Sequence, residues 1–131
     1  MLVAVYGTLK RGESNHSLLA QSSFVGCDCL IDFAVYALGP YPGIKPEPGA
    51  VVYVELFQVD QETLALLDQL EDYDPLSPDT SLYRRALIPT RFGEAYIYIY
   101  QGELSQQKRV MSGWWSLNNT PRPIIAGSQS F

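Results

Sequence analysis

The chain has 131 residues, 47% of them hydrophobic and 18% charged, a balance that excludes a disordered polypeptide. The length fits a single domain, taken as residues 1–131, and a domain of this size buries roughly two-thirds of its unfolded surface without metal or disulfide staples. Nine basic against fourteen acidic side chains give a formal net charge of -5, which argues against a nucleic-acid partner. No apolar run approaches the roughly 20 residues of a membrane-spanning helix, so a soluble cytoplasmic domain with no membrane partner is expected.

In chain order, Leu2-Val3-Ala4-Val5-Tyr6 is a short apolar run that reads as a strand buried on both faces and ended by Gly7. Ser14 or Asn15 is placed to cap a short helix reaching about Gln21, with Leu18 and Leu19 inward. Phe24 to Leu38 is apolar and β-branched in patches, and Gly26 and Asp32 interrupt it, which gives one or two strands with a bend. Gly39-Pro40-Tyr41-Pro42-Gly43, followed by Pro46 and Pro48, is expected to be loop as far as Gly49. Ala50 to Val59 is the longest β-rich run and suits a central strand.

Asp60 is a good N-cap for the clearest helix, with Glu62 in the first turn, Leu64, Leu67 and Leu70 at three-residue spacing, and Leu66 widening the stripe. It should stop near Glu71-Asp72-Tyr73, because Asp74-Pro75 and Ser77-Pro78 follow. Leu82–Pro89 and Glu94–Gln101 then form a hairpin about Phe92-Gly93. Within it Tyr96, Tyr98 and Tyr100 share one face and Ile97 and Ile99 the other. A short helical turn at Ser105–Val110 and an extended Pro121-Arg122-Pro123 end the chain. Many strands, one clear helix and no regular β–α alternation argue against a doubly wound parallel sheet. The pattern fits an α+β domain: a small mixed β-barrel of about five to seven strands, or a strongly curved sheet, with flanking short helices and room for one small ligand.

Cys27 and Cys29 make a Cys-x-Cys that is neither a redox pair nor half a zinc site; two reduced, packed thiols on one strand face are expected. His16 is the single histidine, so a multi-histidine metal site is impossible, and its polar neighbours suggest a solvated or capping role. Four features bear on chemistry. Tyr6-Gly7-Thr8-Leu9-Lys10-Arg11-Gly12 puts a glycine directly after a buried strand, where successive N–H groups can hold a carboxylate or an oxyanion. Lys10 and Arg11 read as solvated surface charges. Glu71 ends the leucine ladder with Asp68 one helical turn away and Asp72 and Asp74 beside it. Burial first and neighbouring acids second would raise its pKa and suit it to shuttling protons near neutrality; the plainer alternative is a solvated helix end. Tyr83-Arg84-Arg85 and the tyrosine stripe would supply packing or a cavity wall with phenol donors.

Val5-Tyr6-Gly7-Thr8-Leu9-Lys10-Arg11-Gly12, followed by Asn15-His16, resembles the opening of the gamma-glutamylcyclotransferase-like family, and is especially similar to gamma-glutamylamine cyclotransferases. Tyr41-Pro42, Glu55–Asp60, Leu67-Asp68-Gln69-Leu70-Glu71-Asp72-Tyr73, Tyr83-Arg84-Arg85 and Ala95–Tyr98 resemble later segments of that family, in its order. The resemblance implies a small mixed barrel that cyclises a gamma-glutamyl group to 5-oxoproline and releases an amine or peptide. This is an intramolecular acyl transfer of transferase or lyase type. It implies Glu71 as catalytic acid/base, Tyr6, Gly7, Thr8 and Leu9 as the loop that binds the glutamyl moiety, and Tyr98 in the pocket wall. Tyr83 and Asp68 take supporting parts. No metal or organic cofactor is required, and the partner is a small-molecule gamma-glutamyl substrate, with the chain a monomer or homodimer. Two departures stand out: Val54-Glu55 where the family often has Gly-Glu, expected to narrow the cavity near that strand, and a loop between Tyr73 and Tyr83 holding Pro75 and Pro78, expected to reshape the entrance. The competing reading from another class is a non-catalytic small-ligand-binding domain on the same barrel.

Overall fold

A computed structural model describes residues 1–104 and 108–117. The expected helical turn at Ser105–Val110 falls partly outside these residues, and the Pro121–Pro123 stretch wholly so. Five strands form one sheet: β1 (Leu2–Val5), β2 (Ser23–Ala37), β3 (Pro42–Gln58), β4 (Tyr83–Thr90) and β5 (Gly93–Tyr100), in the order β2-β3-β1-β5-β4. β1 lies in the middle, antiparallel to β3 and parallel to β5, which makes the sheet mixed and explains why Val3, Ala4 and Val5 are all buried. Among the described residues there is one α-helix, α1 (Gln61–Leu70), which begins at Asp60, whose side chain accepts from the Thr63 N–H at 2.7 Å. Short 3₁₀ turns occupy His16–Leu19 and Pro78–Thr80.

Residue parity on the strands divides the core between the two faces. Ala4, Tyr6, Val52, Val54, Leu56, Ile97 and Ile99 pack together with Trp115. Val3, Val5, Phe57 and Tyr98 pack on the other side, against Leu64 and Leu67 of α1 and Leu19. The tyrosine and isoleucine faces of β5 thus serve different clusters, and α1 is held where its last turn overhangs the end of β1.

Among the described residues no backbone ladder joins the edge strands β2 and β4, so the barrel is a strongly curved sheet closed by side chains. Asp28 accepts from the Arg91 N–H at 2.9 Å, tying β2 to the β4–β5 turn, and the Tyr83 hydroxyl donates to the Pro42 carbonyl at 2.7 Å.

The loop expected over Gly39–Gly49 is instead mostly strand: the turn is confined to residues 38–41, and β3 starts at Pro42. Pro42 and Pro46 are spaced by an even number, so their missing N–H groups fall on one edge of β3, away from the ladder in which they pair with Ala37 and Phe33. The bend foreseen in Phe24–Leu38 lies within one strand, where the register slips at Phe24/Gly26 and at Ile31/Phe33. There Asp32 takes a positive φ of 67° and its carboxylate accepts from the Gly49 N–H at 3.0 Å. Cys27 and Cys29 share a face, but both thiols are exposed rather than packed, because β2 is an edge strand with that side uncovered.

Candidate active site

A cavity of about 350 Å³ opens where the end of β1, the loop after it and the end of α1 meet. Tyr6, Gly7, Thr8 and Leu9 line it, with Glu71, Tyr83 and Tyr98. Asp68 is not in its wall.

The loop takes its shape from its glycine. A Cβ on Gly7 would lie 2.5 Å from Pro42 Cγ, so only glycine allows the loop to press against the Tyr41-Pro42 corner. The Lys10 N–H donates to the Gly7 carbonyl at 3.1 Å and the Asn15 N–H to the Thr8 carbonyl at 2.8 Å. The N–H groups of Gly7, Thr8 and Leu9 have no acceptor among the described residues. Three successive amides are thereby left for an anionic group. The Asn15 side chain, expected as a helix cap, instead donates to the Thr8 hydroxyl at 3.0 Å and lines the cavity. His16 is half-buried rather than freely solvated: its ring is 5.5 Å from that of Phe57 and Nδ1 lies 2.9 Å from the Leu9 carbonyl oxygen. Lys10 and Arg11 are not free surface charges either. Lys10 is sealed from solvent, and the Arg11 backbone N–H and Nε donate to the buried Glu55 carboxylate at 2.8 and 3.3 Å.

Glu71 sits just past the last residue of α1, at its C-cap, where its N–H still bonds the Leu67 carbonyl at 2.9 Å. Its carboxylate has no hydrogen-bond partner among the described residues. Burial against the apolar cavity wall raises its pKa from the ordinary carboxylate range to about 7. Neighbouring acids take no part in that shift, contrary to the sequence expectation, and the reason is where Asp68 goes. Asp68 turns to the sheet, accepting from the Tyr98 hydroxyl at 2.6 Å and from Arg85 Nη1 at 2.6 Å. Its charge is spent on partners of opposite or donor character, out of the cavity.

The three tyrosines around Glu71 are raised above their ordinary values. Burial acts first in each, and the Glu71 carboxylate adds to it for Tyr6, Tyr83 and Tyr98. Their hydroxyls are already committed: Tyr6 to the Tyr98 carbonyl at 2.7 Å, Tyr83 to Pro42, Tyr98 to Asp68. They are neutral walls of the cavity that holds the carboxylate. Sequence reasoning assigned no site role to Asn15, Leu70 or Leu82, and did not carry Tyr41 and Pro42 beyond a family likeness; all line the cavity. For Asn15 the signal was present, seven residues after Thr8 in a tight loop.

Of the two departures from the family pattern, Val54 and Glu55 do not touch the cavity, so they do not narrow it. The Tyr73–Tyr83 loop does border the entrance: residues Asp74, Ser77, Thr80 and Ser81 line an open groove that shares Gln69, Asp72 and Leu82 with the cavity. No helix of the described residues is long and apolar enough to cross a membrane, and no group of three or more His, Cys, Asp and Glu side chains among them is arranged to hold a metal ion.

The structure is thus a curved mixed sheet with a cavity opening between the end of β1, the loop after it and the end of α1. Comparison with known proteins narrows this further: residues 3–117 match the family described as gamma-glutamyl cyclotransferase, AIG2-like, and the chain belongs to it. A Vibrio cholerae relative, whose name carries the gamma-glutamylcyclotransferase assignment in provisional form, is 45% identical over 115 residues, covering 87% of this chain and 94% of its own. The gamma-L-glutamyl-butirosin B gamma-glutamyl cyclotransferase of Niallia circulans is 31% identical over 101 residues, 72% of this chain and 64% of that one. A crystal structure of an uncharacterized Pyrococcus horikoshii protein superposes with a TM-score of 0.72 at 28% identity, over 87% of this chain and 88% of the other.

Proposed function

We propose that the protein is a gamma-glutamylcyclotransferase that converts the γ-glutamyl group of an amine or peptide to 5-oxoproline and releases the amine, with Glu71 as its acid/base. The observation that carries this reading is Glu71 itself: a carboxylate with no partner among the described residues, with a pKa raised to about 7, in the same cavity as three backbone amides that have no acceptor among those residues. A pure binding pocket gains nothing from such an acid, whereas a proton shuttle at neutral pH needs one.

The chemistry follows from these parts. The substrate's α-ammonium gives a proton to Glu71, and the freed nitrogen attacks the γ-carbonyl carbon. A C–N bond forms and the carbonyl oxygen becomes an oxyanion. Collapse breaks the bond to the leaving nitrogen, which takes the proton back from Glu71, while the ring nitrogen, still carrying two hydrogens after its attack, gives up the second to solvent. One carboxylate serves both transfers, and ring closure is intramolecular, so a folded-back substrate supplies much of the acceleration through proximity. The Gly7, Thr8 and Leu9 amides serve the oxyanion or the substrate's α-carboxylate. Tyr6, Tyr83 and Tyr98 exclude water from around the acid. The name of the Niallia circulans relative supports a γ-glutamyl substrate, and the resemblance to amine cyclotransferases supports an amine leaving group.

The test is direct. Purified protein is incubated with γ-glutamyl amines, γ-glutamyl amino acids and glutathione, and 5-oxoproline is measured. Product from at least one compound, abolished in Glu71→Gln, is expected. Tight binding of these compounds with no 5-oxoproline from any would overturn the reading in favour of a ligand-binding domain.

A further inference from the structure

Lys10 follows directly on the Gly7–Leu9 loop and is fully buried. An ammonium there is costly unless partners replace its water. Its partners come from the far end of the described chain: Nζ donates to the Trp115 carbonyl and lies 3.6 Å from the centroid of the Trp114 ring and 5.8 Å from that of Trp115. Burial lowers its pKa to about 8, against the opposing pull of Glu13 and Glu55.

The segment carrying both tryptophans is fastened to the sheet at two further points. The Val110 N–H donates to the Val35 carbonyl and the Tyr53 N–H to the Gly113 carbonyl, each at 2.8 Å. Gly113 has a φ of +80°, and a Cβ on it would lie 2.6 Å from the Val51 carbonyl oxygen, so the strap runs flat against β3. Trp115 is sealed in the core beside Ala4 and Tyr6. Residues 108–117 are therefore a fixed surface, and the loop is moored to it by one side chain. On the next residue, Arg11 moors the loop to β3 through Glu55.

We infer that Lys10 is a positioning residue: by docking on Trp114 and Trp115 it sets the conformation in which the Gly7, Thr8 and Leu9 amides line the cavity, so that a strap remote from the cavity governs how tightly an anionic ligand group is held. The ligand's identity rests on the γ-glutamyl reading above; the mooring of the loop does not.

Trp114 lines no part of the cavity and is only half-buried, so Trp114→Leu removes the ring beneath the ammonium without opening the core. Kinetics on a γ-glutamyl compound that the wild type converts are expected to show KM raised by roughly three- to thirtyfold, the range from an exposed to a desolvated cation–π contact, with kcat nearly unchanged. Trp114→Phe, which keeps an aromatic face, should restore KM. Amide hydrogen exchange at Lys10 and Asn15, whose N–H groups close the loop, should accelerate in Trp114→Leu and in Lys10→Met while exchange in β1 and β5 does not. Unchanged KM and unchanged exchange at those two amides would overturn the inference. So would a loss shared by kcat and melting temperature with KM unmoved, the mark of a merely structural role. The exchange measurement needs no turnover. If the wild type makes no 5-oxoproline the activity reading fails, and the mooring of the loop is still decided.

Discussion

The two sides of the last turn of α1 carry carboxylates three residues apart, in opposite surroundings. On the sheet side Asp68 is buried with a guanidinium and a phenol to hold its charge. On the cavity side Glu71 is half-buried with no partner among the described residues, and burial alone raises its pKa to about 7. Arg85 is what separates them. It sits between the Tyr73 and Tyr96 rings, at 5.3 and 4.8 Å, and draws Asp68 away from Glu71. A pair of acids that would otherwise share one field becomes a structural anchor and an independent titrating group. The fold spends one carboxylate to place a helix end and leaves the other available for chemistry.

The largest expected effect breaks the cavity side alone. Glu71→Gln keeps size and hydrogen-bonding capacity but cannot carry a proton, and turnover should fall by about 10²- to 10⁴-fold, the usual range for general acid–base catalysis. Stability should hold or rise. For a carboxyl whose folded pKa lies above its unfolded one, the unfolded chain releases the proton first as pH rises. Folding stability is thus lost between about 4.5 and about 7 and stays lost above that. The Gln variant should lack this contribution, so the difference in melting temperature between it and the wild type should widen across that window. Turnover in the Gln variant close to the wild type's would remove Glu71 from the mechanism.

Next in size is the loop that faces the same cavity. Gly7→Ala drives a Cβ into the Pro42 ring, and a rigid proline cannot give way by a rotamer change. A displacement near an ångström in the amides should cost on the order of 10²-fold in kcat/KM. The overpacking itself should cost about 1–3 kcal/mol in denaturant unfolding. A fully active Ala variant would mean that the amides are not part of the site. Smaller again is the pH effect. With saturating substrate, the rate should fall about tenfold per unit well below the Glu71 pKa of about 7, as the base is protonated. A rate flat from acidic to neutral pH would show that another group takes the proton.

Much of this arrangement is legible in the residues. The Asp60 cap, the leucine spacing and the Pro75 and Pro78 stops locate α1, and hence Glu71 at its end. The alternation in Ala95–Tyr100 locates both faces of β5. What the sequence conceals is of two kinds. Proline-rich Pro42–Pro48 looks like loop because local propensity cannot know that one edge of β3 lacks a neighbour there, leaving the missing N–H groups harmless. Lys10 and Arg11 look like surface charge because their partners, Trp115 and Glu55, are 105 and 44 residues away. The division of labour between Asp68 and Glu71 is hidden for the same reason: helical spacing makes them neighbours, and only the strand pairing of β4 and β5 brings in Arg85 and Tyr98.

The smallest expected effect on activity sharpens the comparison most. Asp68→Asn removes the charge on the sheet side and keeps an acceptor for Tyr98. The Arg85 guanidinium retains the Tyr73 and Tyr96 rings, so unfolding should be easier by about 1.5–3 kcal/mol, the scale of one hydrogen bond to a charged group. Because Asp68 is not a cause of the Glu71 shift, the midpoint of the pH–rate profile should stay near 7. Tyr98→Phe tests the same separation from the other partner. Its hydroxyl is spent on Asp68 at 2.6 Å, so its loss should be felt in stability, by about 1–3 kcal/mol, before it is felt in turnover. The decisive reading is the midpoint in Asp68→Asn. If it drops by a unit or more, the two acids titrate as a coupled pair, and Arg85 does not insulate them. If it holds while Glu71→Gln abolishes turnover, one helix turn carries two carboxylates that do not sense each other, and the cavity's acid owes its pKa to apolar walls alone.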